Sequence, residues 1–333
     1  MTRYLIRRLT GTLLVLLLIS VLVFLLIQAA PGDPTLMLLG EEATAADIAE
    51  ARQRWGLDQP VYIQYVKFLR SAAKGDFGQS FKYAQPVSEV IVMRLPATIE
   101  LALFSIVIAI GFAIPLGVWA GARPNSLMDN AGTTFGLFGI SMPSFWLGIM
   151  LILMFAGILN LFPSAGRDTY GVSGHEITRF YLLDSIIQGN WKAARDALEH
   201  IFMPALALGA NMMGILMRVT RSSILDVMHE EYVVTARAKG VAERGVLWRH
   251  VLSNALIPVI TVAGLELGTL LSGSIIVETV FSWPGSGSLL ITALNARDYP
   301  LVTGVVLTYT VAFVAINFVI DALYAILDPR IRF

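Results

Sequence analysis

Of 333 residues, 56% are hydrophobic and only 14% charged, with 24 basic residues balancing 24 acidic ones. Soluble domains carry about 25% charged residues, so this composition, with a mean hydropathy of +0.70, excludes an ordinary soluble domain. Zero net charge gives no electrostatic ground for a nucleic-acid partner, and the absence of cysteine excludes disulfide staples and thiolate metal sites.

The chain begins with Arg3, Arg7 and Arg8 ahead of an apolar run from Leu9 to Ala30. That run exceeds the core of a cleaved signal, about 7–15 residues, and suits the roughly 20 needed to cross a bilayer. Residues 1–30 are therefore read as a tail and a retained first span. Five more apolar runs follow, at roughly 98–120, 133–159, 201–220, 255–280 and 303–327. None alternates like a barrel strand, and in lipid a helix satisfies its own backbone. The expectation is an all-α, polytopic membrane protein of about six transmembrane helices, with Asn211 and Arg218 interrupting the fourth.

Basic residues in short connections set orientation. With the N-terminus inside, the cytoplasmic pieces hold 12 of the 24 basic residues in about 60 residues of chain. Both termini are then cytoplasmic, and a cytoplasmic loop covers 221–254 within a core of 98–333.

The extracytoplasmic segment 31–97 carries helix punctuation. Thr44 with Asp47 resembles a capping box, and Gly56 can close that helix. Asp58-Gln59-Pro60 can start a second helix through about Ala73, with Gly75 after it. A solvated cap and a platform for a partner fit this segment equally. A further outer segment, 160–200, contains Trp191 and alternating charge suited to a short surface helix.

The loop contains Glu231-Tyr232-Val233-Val234-Thr235-Ala236-Arg237-Ala238-Lys239-Gly240, followed by Ile257-Pro258. Nothing between Asp226 and Ala238 breaks a helix, and Gly240 stops it. Met228, Tyr232 and Ala236 share one face at i, i+4 spacing. A solvated connector needs neither an apolar stripe nor a terminal glycine, so the segment is read as a docking helix.

This segment resembles the coupling loop of ABC-importer permeases, and its Thr-Ala-Arg-Ala-Lys-Gly wording resembles the dipeptide/oligopeptide/nickel branch. An ordered series agrees: Tyr4-Leu5-Ile6-Arg7-Arg8-Leu9, Pro31-Gly32-Asp33-Pro34, Gly56-Leu57-Asp58-Gln59-Pro60, Gly75-Asp76-Phe77-Gly78-Gln79-Ser80, Arg94-Leu95-Pro96-Ala97-Thr98, Ser141-Met142-Pro143-Ser144-Phe145-Trp146, Glu278-Thr279-Val280-Phe281-Ser282-Trp283-Pro284-Gly285, and Asp328-Pro329-Arg330-Ile331-Arg332. Tyr232-Val233 stands for the two alanines of the general loop pattern. Ser286 and Ser288 replace residues that are often a larger apolar residue and an Arg.

The resemblance implies a type I importer permease fold and the first, B-type subunit of a permease pair, in the bacterial cytoplasmic (inner) membrane and in contact with lipid. It implies a second homologous permease, two ATPase subunits that bind ATP and Mg, and an extracytoplasmic substrate-binding protein. It assigns ATPase coupling to Glu231, Tyr232, Thr235, Ala236, Arg237, Ala238, Lys239 and Gly240. The expected cargo is a di- or oligopeptide; nickel chelates and oligosaccharides are carried by other members. No G-x-x-x-x-G-K-[ST] phosphate loop occurs, so this chain is expected to bind no cofactor and to catalyse no reaction.

Glu100, Glu266, Glu278 and Asp321 fall in or near spans. A mid-bilayer carboxylate costs about 2.5–3.5 kcal/mol on insertion scales, so each should face protein or water. Glu100 and Glu278 lie near span ends, where bonding to a loop competes with a pathway role. Glu266, beside Gly264, Gly268 and Gly273, lines the pathway or bonds the paired permease. Phe281 and Trp283 are read with Glu266 and Glu278 as pathway or outer-gate residues. Pro115, Pro143, Pro204 and Pro258 can kink or start spans.

Two rival classes fit less well. An intramembrane protease needs its serine in a span beside a histidine base, whereas Ser173 and His175 sit in a polar outer segment; His175-Glu176 lacks the second zinc histidine because position 179 is Arg. A self-sufficient secondary transporter or channel calls for inverted repeats and several midplane charges; this chain has no visible repeat and few midplane charges.

Overall fold

The computed structural model describes residues 2–29, 58–169 and 177–327, with isolated positions between 44 and 53. The expected helix over 44–56, the motifs at 31–34 and 328–332, and Ser173 and His175 lie outside these residues, as do the surroundings of the Asp321 side chain. Among the described residues the chain is helical, and its extended pairing is a single bridge between Gln79 and Pro86.

The helices are α1 (Thr2–Ala29), α2 (Val61–Ala72), α3 (Val87–Ala122), α4 (Leu127–Ser141), α5 (Ser144–Leu151, continued by a π-helical stretch Ile152–Ile158), α6 (Tyr181–Ile187), α7 (Trp191–Met228), α8 (Glu231–Ala238), α9 (Leu252–Val280), α10 (Ser286–Asn295) and α11 (Tyr299–Leu327). A second π-helical stretch, Val246–Val251, leads into α9.

Among the described residues, four helical segments are long and apolar enough to cross a membrane: Val87–Ala122, Trp191–Met228, Glu243–Gly268 and Tyr299–Val319. Asp129–Ser141 and Ser144–Ile158 make a fifth crossing if taken together, although they are bent by 107°. Pro143 explains the bend: it has no N–H to donate and pushes the preceding residue out of the helical region, and Met142 lies at φ −88, ψ 127. The span expected over 133–159 is thus broken at Pro143, one of the prolines expected to kink or start a span. The first expected span is α1, whose described apolar part is the shorter Thr10–Leu26.

The outer boundaries also move. No short surface helix occupies 160–200 with Trp191 in it; Trp191 opens α7 itself, and the short helix is α6. Asn190 caps α7 by accepting a hydrogen bond from the Ala193 N–H at 3.1 Å. Ala193, Ala194 and Ala197 then bury their faces, so the charged start of α7 is the amphipathic end of a long helix and not a separate short one. The helix expected from Pro60 is α2, and Gly75 follows it at φ +77.

The chain divides into two compact units. One comprises residues 1–95 and 289–314. Within it, Phe24 of α1 packs against Tyr65 and Phe68 of α2, with ring centroids 5.4 and 5.7 Å apart, and Ser20 and Tyr65 share a hydrogen bond of 2.8 Å. Buried Asp298 accepts bonds from the Ser80 hydroxyl at 2.5 Å and from the Lys82 and Leu301 amides at 3.0 and 3.2 Å. That carboxylate ties the Gly75–Ser80 motif to the start of α11.

The other unit comprises residues 96–288 and 315–333, and α7 is its pillar. The most apolar window of α7 is 78% buried, and the helix packs against α4, α5, α6 and α9. Helices in lipid associate through small residues that let backbones approach, and here α4 meets α7 at Gly136 and Gly214. A Cβ on Gly214 would collide with the Gly136 carbonyl and Ile140. Gly214→Val is therefore expected to cost about 1–3 kcal/mol by overpacking, read as a lowered thermal midpoint of the purified protein. An unchanged midpoint would show that this contact is dispensable.

Candidate coupling segment and transmembrane cleft

Toward the C-terminal end of α7, Arg221 forms a two-pronged ion pair with Asp129, at 2.5 and 2.8 Å. Asp129 is buried in the first turn of α4, where a negative charge opposes the helix dipole favourably. It also accepts a bond from the Asn125 amide at 2.9 Å, while Ser126 caps the helix by accepting from the Asp129 N–H at 3.1 Å. The Asn125–Ser126 turn and the start of α4 are thereby pinned to α7. The Ser126-x-x-Asp129 spacing was a readable capping signal, but its partner lies 92 residues away and no local pattern points to it.

The continuous helix expected over Asp226–Ala238 is not formed. α7 ends at Met228, and Glu230 is extended at φ −70, ψ 142 before α8 starts. No proline or glycine imposes this break; burial does. Val233 (0% exposed) and Ala236 join Val118, Ile224, Val246, Val251 and Ala255 in an apolar cluster, and the chain must leave the α7 axis to deliver them there. The inward face is thus Val233/Ala236, at i, i+3, in place of the expected Tyr232/Ala236 stripe. Tyr232 (42%) and Val234 (57%) are exposed, as are Glu231, Thr235, Ala238, Lys239 and Gly240. Desolvation, and after it the Glu230 charge, raises the Tyr232 hydroxyl above its ordinary range, so it remains a neutral donor at neutral pH.

Gly240 stops α8 as expected. It lies at φ +78, the Gly240 amide bonds to the Arg237 carbonyl at 2.9 Å, and the Val241 amide bonds to the Ala236 carbonyl at 3.2 Å. This pair of bonds is a Schellman C-cap, which calls for a left-handed residue at the glycine position. Arg237 pairs with Glu243 at 2.9 Å, largely in solvent, and such a pair contributes about 0–1 kcal/mol.

At the other end of α9, the structure corrects the pathway reading of three residues. Glu278 (0%), Phe281 (2%) and Trp283 (1%) are fully buried and offer no surface to a pathway or a partner. Glu278 accepts bonds from the Thr98 hydroxyl at 2.7 Å and the Ser288 amide at 2.9 Å. The Ser286 amide in turn donates to Thr98 at 2.8 Å, and the Trp283 indole N–H donates to the Ala97 carbonyl at 3.0 Å. A Cβ on Gly285 would strike the Glu278 carboxyl. These contacts form a clasp between the start of the 96–288 segment and the turn after α9.

Glu100 has the loop-bonding role as well. It pairs with Arg167 at 2.5 Å and accepts from the Leu182 amide at 2.9 Å. The Arg167 guanidinium lies 3.7 Å from the centre of the Tyr181 ring. Arg167 carried no signal in the sequence, because its partner is 67 residues distant.

Glu266 alone of the four expected pathway residues borders open space. It lines a cleft of about 510 Å3 with Ser141, Ser144 and Asn211, between the α4–α5 bend, α7 and α9.

Comparison with known proteins agrees with this architecture. Residues 113–333 match the family model described as binding-protein-dependent transport system inner membrane component, and residues 1–102 match the model for the N-terminal part of such membrane components. The chain therefore belongs to the family of inner membrane components of binding-protein-dependent transport systems; it is a permease subunit of that membrane. It is 39% identical over 333 residues to the dipeptide transport system permease protein DppB of Alkalihalophilus pseudofirmus, covering 100% of both chains. It is 40% identical, with the same coverage, to the glutathione transport system permease protein GsiC of Salmonella paratyphi A. The probable D,D-dipeptide transport system permease protein DdpB of Escherichia coli is 39% identical over 98% of this chain and 96% of its own length. Among solved structures, an amino acid ABC transporter matches with a TM-score of 0.51 at 12% identity, over 72% of this chain and 95% of that one. At that identity the likeness concerns the fold alone.

The clasp makes a stability prediction. Glu278→Ala strands the buried Thr98 hydroxyl and Ser288 amide, and each orphaned group costs about 1–3 kcal/mol. The yield of monodisperse protein in detergent is expected to fall sharply, with Glu278→Gln intermediate; wild-type yield and melting of Glu278→Ala would refute the clasp.

Proposed function

We propose that this chain forms half of the translocation pore of an ATP-driven importer of short peptides, and that α8 transmits the stroke of separate ATPase subunits. The observation that carries this reading is the construction of α8. Its inner face is fixed on an apolar cluster, its end is locked by a Schellman cap, and its outer face leaves Tyr232 and Val234 exposed. A solvated connector has no use for apolar groups on both faces, and an exposed apolar pair on a capped helix suits the groove of another protein.

In this reading Glu231, Tyr232, Thr235, Ala238 and Lys239 meet the ATPase. Ala236 and Gly240 act indirectly, the first by anchoring the helix and the second by ending it, and Arg237 braces it through Glu243. The two ATPase subunits bind ATP and Mg; this chain binds neither and is not itself catalytic. A second homologous permease completes the pore, an extracytoplasmic binding protein delivers cargo, and both termini lie in the cytoplasm, as the distribution of Arg and Lys favours. The names carried by the relatives support peptides as cargo.

The chain has no native cysteine, so single-cysteine probes are clean. In intact cells Val234→Cys is expected to cross-link to an ATPase subunit, whereas the buried Ala236→Cys is not. Gly240→Val places a β-branched residue at left-handed φ, at a cost of about 1–2 kcal/mol. It is expected to reduce peptide uptake about tenfold at a normal level of membrane-inserted protein, while ATP hydrolysis by the complex persists. Failure of Val234→Cys to capture an ATPase subunit, or normal uptake by Gly240→Val, would overturn the coupling role.

A further inference from the structure

The α4–α5 bend opens a cleft whose remaining walls are regular helix. On α7, Leu208, Asn211, Met212 and Ile215 line it, and their i, i+3, i+4, i+7 spacing places one helix face toward it. On α9, Glu266 and Leu270 line it, one turn apart. The cleft holds about 510 Å3, within the roughly 300–1,000 Å3 of small-ligand sites and adequate for a dipeptide. Among its described lining residues Glu266 is the single ionisable one, and Ser141, Ser144 and Asn211 supply neutral hydrogen-bonding groups beside it.

This combination is chemically selective. A carboxylate is costly within a membrane-spanning helix and persists where it faces protein, water or a ligand. A cleft with one carboxylate, three neutral polar side chains and apolar walls favours a ligand with one positive end and an apolar or amide body. It disfavours an anion entering charge first. Resting on the reading of this chain as a peptide importer subunit, we propose that the cleft is a transient cargo site in which Glu266 receives the α-ammonium group of the peptide. Asn211 and the two serines bond the adjoining amide, and the Ile140 and Leu270 walls take the first side chain. Selection by the cleft thus falls on a free amino terminus and not on side-chain identity.

The test uses the complete transporter in nanodiscs, without its binding protein, titrated with radiolabelled L-alanyl-L-alanine or its N-acetyl form. The free dipeptide is expected to bind about tenfold more tightly, because acetylation removes a charge-assisted hydrogen bond. Glu266→Gln is expected to abolish that preference, and Glu266→Asp to keep part of it. On the unaltered complex, the free dipeptide is expected to slow carbodiimide labelling of Glu266, read by mass spectrometry, while the acetylated form leaves it unchanged. Equal affinity of the wild type for the two dipeptides overturns the proposal, as does an undiminished preference in Glu266→Gln or a labelling rate indifferent to the free dipeptide. Loss of the paired permease from Glu266→Gln with peptide preference intact also overturns it, assigning Glu266 to the subunit interface. Failure of the importer reading shows separately, as no ATP-dependent dipeptide uptake by the wild-type complex with its binding protein.

Discussion

How closely other helices can approach α7 governs the larger unit. Lipid supplies no hydrophobic force to push helices together, so association rests on backbone proximity and van der Waals contact. Gly136 abuts Gly214, Gly139 abuts Ala210, and Gly117 and Gly121 admit Thr220 and Ile224. These contacts bring α4 and α3 against α7 and leave its other faces to α5, α6 and α9. The Asp129–Arg221 pair then sets the axial position of α4 on α7, which small residues alone leave free to slide. Ile215 of the cleft and Ile224 of the α8 cluster lie on this same helix, about 14 Å apart at 1.5 Å per residue. Under the coupling role proposed above, a displacement of α8 would reach the cleft along this one helix.

The break at His229–Glu230 gives α8 its mechanical character. A single rod from Asp226 to Ala238 would project along the α7 axis and move as its tip. The observed helix lies on a cluster drawn from α3, α7 and the start of α9, so three segments share any load placed on it. The exposed Arg237–Glu243 pair contributes little beside that burial. The seating of α8 is a property of tertiary packing, and its own eight residues are too few for a stable isolated helix.

Those facts also explain which features were legible in the sequence. Composition and run length were enough for an all-helical membrane protein, because lipid forces long apolar segments into helices. Gly240 was legible because left-handed backbone has a narrow residue preference, and α2 because Pro60 and Gly75 bracket it. What failed was everything decided by partners far along the chain. The start of α7 read as a separate short surface helix because its charges were visible and its buried alanines were not distinguishable from exposed ones. The inward face of α8 was misassigned because Tyr232 and Val233 are both acceptable apolar residues, and only the location of the cluster chooses between them. Phe281 and Trp283 read as gate residues because aromatics near a membrane boundary look alike whether they face a pore or, like Trp283, reach a backbone carbonyl in the core. The ordered family motifs carried the functional reading where periodicity could not.

Glu266 and Glu278 show the same ambiguity resolved in opposite directions. Both are carboxylates on α9, twelve residues apart, and with about 100° per residue they point some 120° away from each other. Glu278 faces the turn that follows its own helix, where Thr98, Ser288 and a glycine without a side chain enclose its oxygens. A carboxylate so enclosed holds structure together, since any ligand would first have to displace the clasp. Glu266 faces the bend created by Pro143, where the helix wall is interrupted and the space beside it is bordered by Ser141, Ser144 and Asn211. The energetic difficulty of carrying a carboxylate in a span is common to both residues. Enclosing bonds from Thr98 and Ser288 offset it at one site, whereas the other carboxylate also borders a polar cleft, so only the second has a surface on which arriving cargo could act.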